Sequence, residues 1–159
     1  MFRSQQTQQL ERRGMMQKDK RYIAFVCTGN TCRSPMAEGI FNKLATENNS
    51  CVIAESFGIA TATGTKVSQN SVVACAEIGV DIKNKCSTAV NDVDLDKYEK
   101  FYCMSQSHAR MLKDFFGIEE SRISVLDVSD PYGGNIDVYK KCCKQIYNSV
   151  KEIIKKYEN

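Results

Sequence analysis

Histidine occurs once in the 159 residues and proline twice, and no apolar run approaches the roughly 18 to 20 residues that a membrane-crossing helix needs. With one histidine and no pair of Cys-x-x-Cys clusters among the eight cysteines, no familiar zinc ligand set can be assembled, so no metal is expected. The amino-terminal stretch also lacks the apolar core of a secretory signal peptide, which argues against reading the cysteines as a disulfide framework. Reduced thiols in a cytoplasm are expected instead, most of them acting as small apolar packing residues. Net charge is +3, and Arg3, Arg12, Arg13, Lys18 and Lys20, set against Glu11 and Asp19, account for all of it. From Arg21 onward the charges cancel, so the broad basic face of a nucleic-acid binder is missing. Neither nucleic acid nor membrane is an expected partner.

A chain of this length, 42% hydrophobic, suits one core rather than two. Residues 1–19 are Gln-rich and polar and share no pattern with the rest of the chain, so a flexible extension is expected there, ahead of a folded domain over 20–159. Within that domain short β-like runs alternate with helix-period segments, the signature of parallel βαβ units and an α/β fold. Tyr22–Cys27, Cys51–Glu55, Lys100–Met104 and Arg122–Leu126 read as strands. Helices are expected over Pro35–Glu47, Ser68–Ile78, Ser107–Phe116 and Asp137–Tyr157. On the first, Met36, Ile40, Phe41 and Leu44 form the apolar face; on the second, Val72, Val73 and Ala76; on the last, Tyr139, Cys142, Cys143, Ile146, Val150, Ile153 and Ile154.

Chemistry concentrates where the first strand meets the first helix, in Cys27-Thr28-Gly29-Asn30-Thr31-Cys32-Arg33-Ser34-Pro35. Given the chain's composition, Cys-x5-Arg-Ser has a chance expectation of about 0.03. Its position sharpens the signal, because a loop leaving a parallel strand and entering a helix N-terminus is where α/β sheets bind anions. Such a loop can wrap its N–H groups around one tetrahedral oxyanion, with Gly29 expected to ease the turn. The same surroundings stabilise a thiolate at Cys27 and make it a nucleophile. Arg33 can hold two oxygens of a phosphoryl group bidentately. Asn30 and Ser34 can order the loop, and the Ser34 hydroxyl can point at the thiolate. A leaving group needs a proton, and Asp130, in the turn-rich VSDPYGGN after the fourth strand, is the candidate acid, ahead of Asp127 and Asp137. His108 lies in a helix pattern and is given no catalytic role.

CTGNTCRSPMAEG, followed about a hundred residues later by DPYGG, resembles the low-molecular-weight protein tyrosine phosphatase family over residues 21–157. The resemblance implies a single domain with a four-stranded parallel sheet and helices on both faces, no cofactor, and a phosphorylated protein as substrate, with a monomer favoured. It makes Cys27 the nucleophile, Arg33 the phosphate-binding arginine, Ser34 the thiolate-assisting hydroxyl, Asn30 the loop-ordering residue and Asp130 the general acid. Thr28, Gly29 and Thr31 complete the loop, and Cys32 matches a second cysteine that can pair with the nucleophile. Ser56-Phe57-Gly58 stands where members commonly have Ser-Ala-Gly.

Thr31, and Tyr132-Gly133 in place of two adjacent aromatics after Asp-Pro, bring the chain closer to the bacterial protein arginine phosphatases. Phosphoarginine is therefore favoured over phosphotyrosine, since the Thr31 hydroxyl can accept an N–H beside phosphorus. A thiol-coupled arsenate reductase shares a similar loop but needs a relay of two further cysteines, and a non-catalytic phosphate-binding module would have no use for Cys27 and Asp130 together.

Overall fold

The computed structural model describes residues 4–6 and 20–158, so most of the extension expected over 1–19, and Asn159, lie outside the described residues. Seven residues, Arg21–Cys27, form β1, and five of them in succession, Ile23 to Cys27, are buried. A strand covered on both faces reads as a continuous apolar run, which is why RYIAFVC has no polar alternation. β1 pairs in parallel with β2 (Val52–Gly58) on one side and β3 (Lys100–Cys103) on the other, and β3 pairs with β4 (Ile123–Val125), giving the order β2-β1-β3-β4. β2 runs three residues further than expected, and Arg122 falls in a short 3-10 turn instead of opening β4.

Among the described residues, α1 (Arg33–Glu47), α2 (Gln69–Glu77), α3 (Gln106–Phe116) and α4 (Ile136–Lys155) connect and cover the sheet. Alternation along β1 divides the core in two. Ile23, Phe25 and Cys27 face the layer built by α1, α2 and α4, whereas Ala24 and Val26 face the layer of α3, Tyr98 and Phe101. α4 buries the seven residues its periodicity singled out. α2 does not follow its expected face: Ala76 is exposed, and Ser71, Ala74 and Cys75 turn inward. On a helix of nine residues packed against α4, three small side chains that let the backbones approach outrank the larger valines beside them.

The cysteines behave largely as packing residues. Cys75, Cys142 and Cys143 lie in the core containing α2 and α4, Cys103 is fully buried in β3, and burial pushes the Cys103 and Cys142 thiols up to about 12. All eight are unpaired. Helix ends follow local chemistry: Ser68 accepts from the Ser71 N–H at the start of α2, Asn135 accepts from Val138 at the start of α4, and Gly117, at φ 67°, ends α3 in the left-handed conformation. Because β2 and β3 flank β1 on opposite sides, the strand order reverses between β1 and β3. The loops after those two strands thus flank the crevice where such sheets bind ligands.

Candidate active site

Residues 27–33 leave β1 at that crevice and turn into α1, whose N-cap residue, Cys32, supplies no side-chain cap. Three of the loop's carbonyls are occupied outside it. Those of Cys27, Thr28 and Thr31 accept from the N–H groups of Ile59, Ala60 and Ser68 at 2.9, 3.0 and 2.9 Å. Three carbonyls tied outward favour amides on the inner side of the loop, the polarity an oxyanion requires.

Asn30, not Gly29, makes the sharp turn. It has φ 54° and is fully buried, whereas a Cβ built on Gly29 would meet nothing closer than Thr31 Oγ1 at 3.7 Å. Asparagine tolerates the left-handed region because its short amide can satisfy nearby groups. Its Nδ2 donates to Ser34 Oγ at 2.7 Å and Ser56 Oγ at 2.9 Å, and its Oδ1 accepts from the Thr88 N–H at 2.8 Å. The glycine that the loop needs is Gly58, where a Cβ would lie 2.7 Å from the Thr28 carbonyl oxygen.

These bonds have a direction. Ser34 Oγ accepts from Asn30, so its own hydrogen is free for Cys27 Sγ, 2.9 Å away, and the Asn30 N–H reaches the same sulfur at 3.2 Å. Two donors converging on one sulfur suit an anion better than a thiol. On the other side, Ser56 Oγ donates to Glu38 Oε1 at 3.1 Å, and Glu38 is ion-paired with Lys85. Burial raises the Glu38 carboxyl's affinity for its proton while Lys85 opposes that rise. A chain of partners thus runs from the partly buried Lys85 to the sulfur. Sequence reasoning missed Glu38, Lys85 and Thr88, because no spacing relates them to the loop; Ser56 and Gly58 were visible only through the Ser-Phe-Gly resemblance. The Phe57 departure is absorbed on the other face of the sheet, among the rings of Tyr98 and Phe101 at 6.1 and 6.2 Å.

Arg33 is buried and aimed: Nη1 donates to the Val128 carbonyl at 3.0 Å and Nη2 lies 3.7 Å from Asp130 Oδ2. The segment after β4 is held to β3 by Leu126 N–H to Cys103 O and Val128 N–H to Met104 O, both 2.8 Å, and this carries Asp130 to the loop. Asp130 is about half exposed, and Oδ1 accepts from the Tyr132 N–H at 3.1 Å. A cavity of about 230 Å3 is lined by the seven loop residues with Asp130 and the exposed ring of Tyr132. All the predicted site residues line it except Ser34, which lies fully buried beneath the sulfur. Of the two competing acids, neither Asp127 nor Asp137 lines it.

His108 is closer to this site than the sequence suggests. The Ser105 N–H donates to its Nδ1 at 3.2 Å, which assigns the proton to Nε2 and makes that nitrogen the donor to Thr28 Oγ1 at 2.8 Å. Burial, helped by Arg33 and opposed by Asp130, pushes its pKa down to about 4, so at neutral pH it is an uncharged strut and no proton donor to substrate. A relay for arsenate chemistry is missing, since Cys75 and Cys103 are fully buried and Cys86 alone is exposed.

A family profile described as low molecular weight phosphotyrosine protein phosphatase matches residues 22–159. A protein-arginine-phosphatase of Bacillus subtilis is 30% identical over 142 residues, which cover 84% of this chain and 94% of that protein. Among solved structures, a low molecular weight protein tyrosine phosphatase from T. tengcongensis superposes with a TM-score of 0.82 at 33% identity, over 86% of this chain and 99% of that one. The YwlE arginine phosphatase, as a mutant with a phosphorylated active-site serine, superposes with a TM-score of 0.79 at 28% identity, over 85% and 94%.

Proposed function

Since the chain belongs to the low-molecular-weight phosphotyrosine protein phosphatase family, whose members are cysteine-dependent protein phosphatases, we propose that Cys27 is its nucleophile and protein phosphoarginine its preferred substrate, ahead of phosphotyrosine. The observation that carries the reading is the convergence of the Ser34 hydroxyl and Asn30 N–H on Cys27 Sγ, in one cavity with Arg33 and Asp130.

In the first displacement Sγ attacks phosphorus in line and the bond to the leaving nitrogen or oxygen breaks, with the Asp130 carboxylic acid giving that atom its proton. Arg33 and the loop amides hold the phosphoryl oxygens as they flatten, and their fixed placement is what lowers the barrier. A cysteinyl-phosphate results; the phosphorylated active-site serine of the mutant relative supports a phosphoryl group bonded to the protein at the matching place. Asp130, now a carboxylate, takes a proton from water, the resulting oxygen nucleophile attacks phosphorus, and inorganic phosphate leaves as the Cys27 thiolate returns. Nothing in this sequence of steps requires a metal.

Thr31 supports the arginine preference: it lines the cavity, and its hydroxyl can accept from a phosphoguanidinium N–H. The exposed Tyr132 ring stands alone at the rim, followed by Gly133, so a flat phenyl leaving group would find one aromatic wall there. Eight unpaired cysteines fit the reducing cytoplasm in which we place the enzyme.

The test is a side-by-side assay of phosphoarginine and phosphotyrosine peptides with the wild-type protein and Cys27→Ser. Turnover of phosphoarginine peptides at the higher kcat/KM is expected, and its loss in Cys27→Ser. A serine variant keeping more than roughly a hundredth of the activity would rule out the covalent route.

A further inference from the structure

A second cavity, of about 460 Å3, adjoins the one that holds Cys27, and the two share Thr31, Cys32 and Tyr132 in their walls. A side chain phosphorylated at its tip reaches Cys27 from solvent, so the polypeptide carrying it must cross one rim or another of the catalytic cavity. On the side of Asp130 it would meet a carboxylate. Across Thr31 and Tyr132 it would enter the second cavity, whose size lies within the roughly 300–1,000 Å3 of ligand pockets.

The walls of that cavity are neutral hydrogen-bonding groups, with one charged side chain among them, Lys66. Lys66 is exposed and has no ion-pair partner among the described residues, so its charge is available to an acid in the cavity. Its backbone is fixed. The segment is bridged to residues 85–87 by Ser87 N–H to Thr65 O at 2.7 Å, Val67 N–H to Lys85 O at 3.2 Å and Thr65 N–H to Ser87 Oγ at 3.0 Å. Two residues on, the Ser68 N–H bonds the Thr31 carbonyl at 2.9 Å, which ties the segment directly to the phosphate loop. Gly133, also in the wall, has open space where a side chain would stand.

We infer that this second cavity is the subsite for the polypeptide flanking the phosphorylated residue, and that Lys66 there selects an acidic side chain of the protein substrate. This rests on the phosphatase reading and narrows its substrate class. The subsite shares Thr31, Cys32 and Tyr132 with the catalytic cavity, so the acid belongs within a few positions of the phosphorylated residue.

The subsite is open to water, so its effect on rate is modest, salt-sensitive and best read as a ratio. Peptides identical except for Glu or Lys at one position, one to three residues to either side of the phosphorylated residue, are compared on the same protein sample, which cancels any unfolded fraction. At the best position and low ionic strength the Glu peptide should exceed the Lys peptide in kcat/KM by roughly five- to tenfold, an advantage that shrinks at about 0.3 M salt. Lys66→Met should bring the ratio close to unity and Lys66→Glu should invert it. A ratio of unity at every position in the wild-type protein, or a preference that Lys66→Glu leaves unchanged, overturns the assignment. The same ratio is measured as Kd by peptide titration: a Lys66-dependent preference in binding without turnover of any peptide supports the subsite and refutes the phosphatase reading, whereas turnover without any preference refutes the subsite and leaves that reading standing.

Discussion

Replacing Asn30 probes the loop at the point where conformation and chemistry meet. Its side chain makes three hydrogen bonds in a fully buried place, to Ser34, Ser56 and the Thr88 N–H. Each contributes about 0.5–1.5 kcal/mol net, and a donor left stranded costs more. Alanine at φ 54° adds about 1–2 kcal/mol for the left-handed backbone. Asn30→Ala should therefore lower stability by about 3–5 kcal/mol, read as a shift in the urea midpoint at unchanged slope. Asn30→Gly loses the same bonds but not the backbone conformation, and should recover about 0.5–1 kcal/mol of the difference, the left-handed cost less glycine's extra chain entropy. Both variants release the Ser34 hydroxyl from its orientation, so alkylation of Cys27 by iodoacetamide at neutral pH should slow in both. A loss under about 1 kcal/mol in the alanine variant, or unchanged alkylation in both, would refute the account of a loop ordered through Asn30.

Thr31→Ile removes the acceptor proposed for the phosphoguanidinium N–H and should cost about 1–3 kcal/mol on phosphoarginine, roughly 5- to 150-fold in kcat/KM, while phosphotyrosine hydrolysis holds or improves; equal losses on both substrates would mean that Thr31 only shapes the loop. His108, held neutral with its pKa pushed from the usual 6.5 to about 4, leaves the unfolded chain binding more protons between those values. Stability should thus fall as pH drops from about 6.5 to about 4 and level off below, by at most about 3 kcal/mol from this group, and denaturation midpoints of His108→Gln should lack that part of the slope.

The elements and the loop were legible because both are local. β1 announced itself as an apolar run, α4 buried every residue its periodicity marked, and the Cys-x5-Arg-Ser loop carried its candidate chemistry in eight consecutive residues. Asp130 was recoverable because parallel strands all point the same way, so the segment leaving β4 emerges at the same edge as Cys27. The buried face of α2 was misjudged, Ser71, Ala74 and Cys75 lying about 150° around the helix from Val72, Val73 and Ala76, since on nine residues the packing against α4 overrides hydrophobicity.

What only the tertiary structure decided is which distant groups complete the site. Sequence alone supplied the α/β frame and the candidates for nucleophile, phosphate-binding arginine and acid, because each is written into a contiguous segment or a periodic pattern. That Asn30 and not Gly29 takes the left-handed turn, that Gly58 must be bare beneath the Thr28 carbonyl, that His108 props Thr28, and that Ser56, Glu38 and Lys85 stand behind the sulfur all depend on β2, β3 and the 85–88 segment arriving beside β1. Hydrogen bonds act over about 3 Å, and residues tens of positions apart come within that reach only once the sheet has formed.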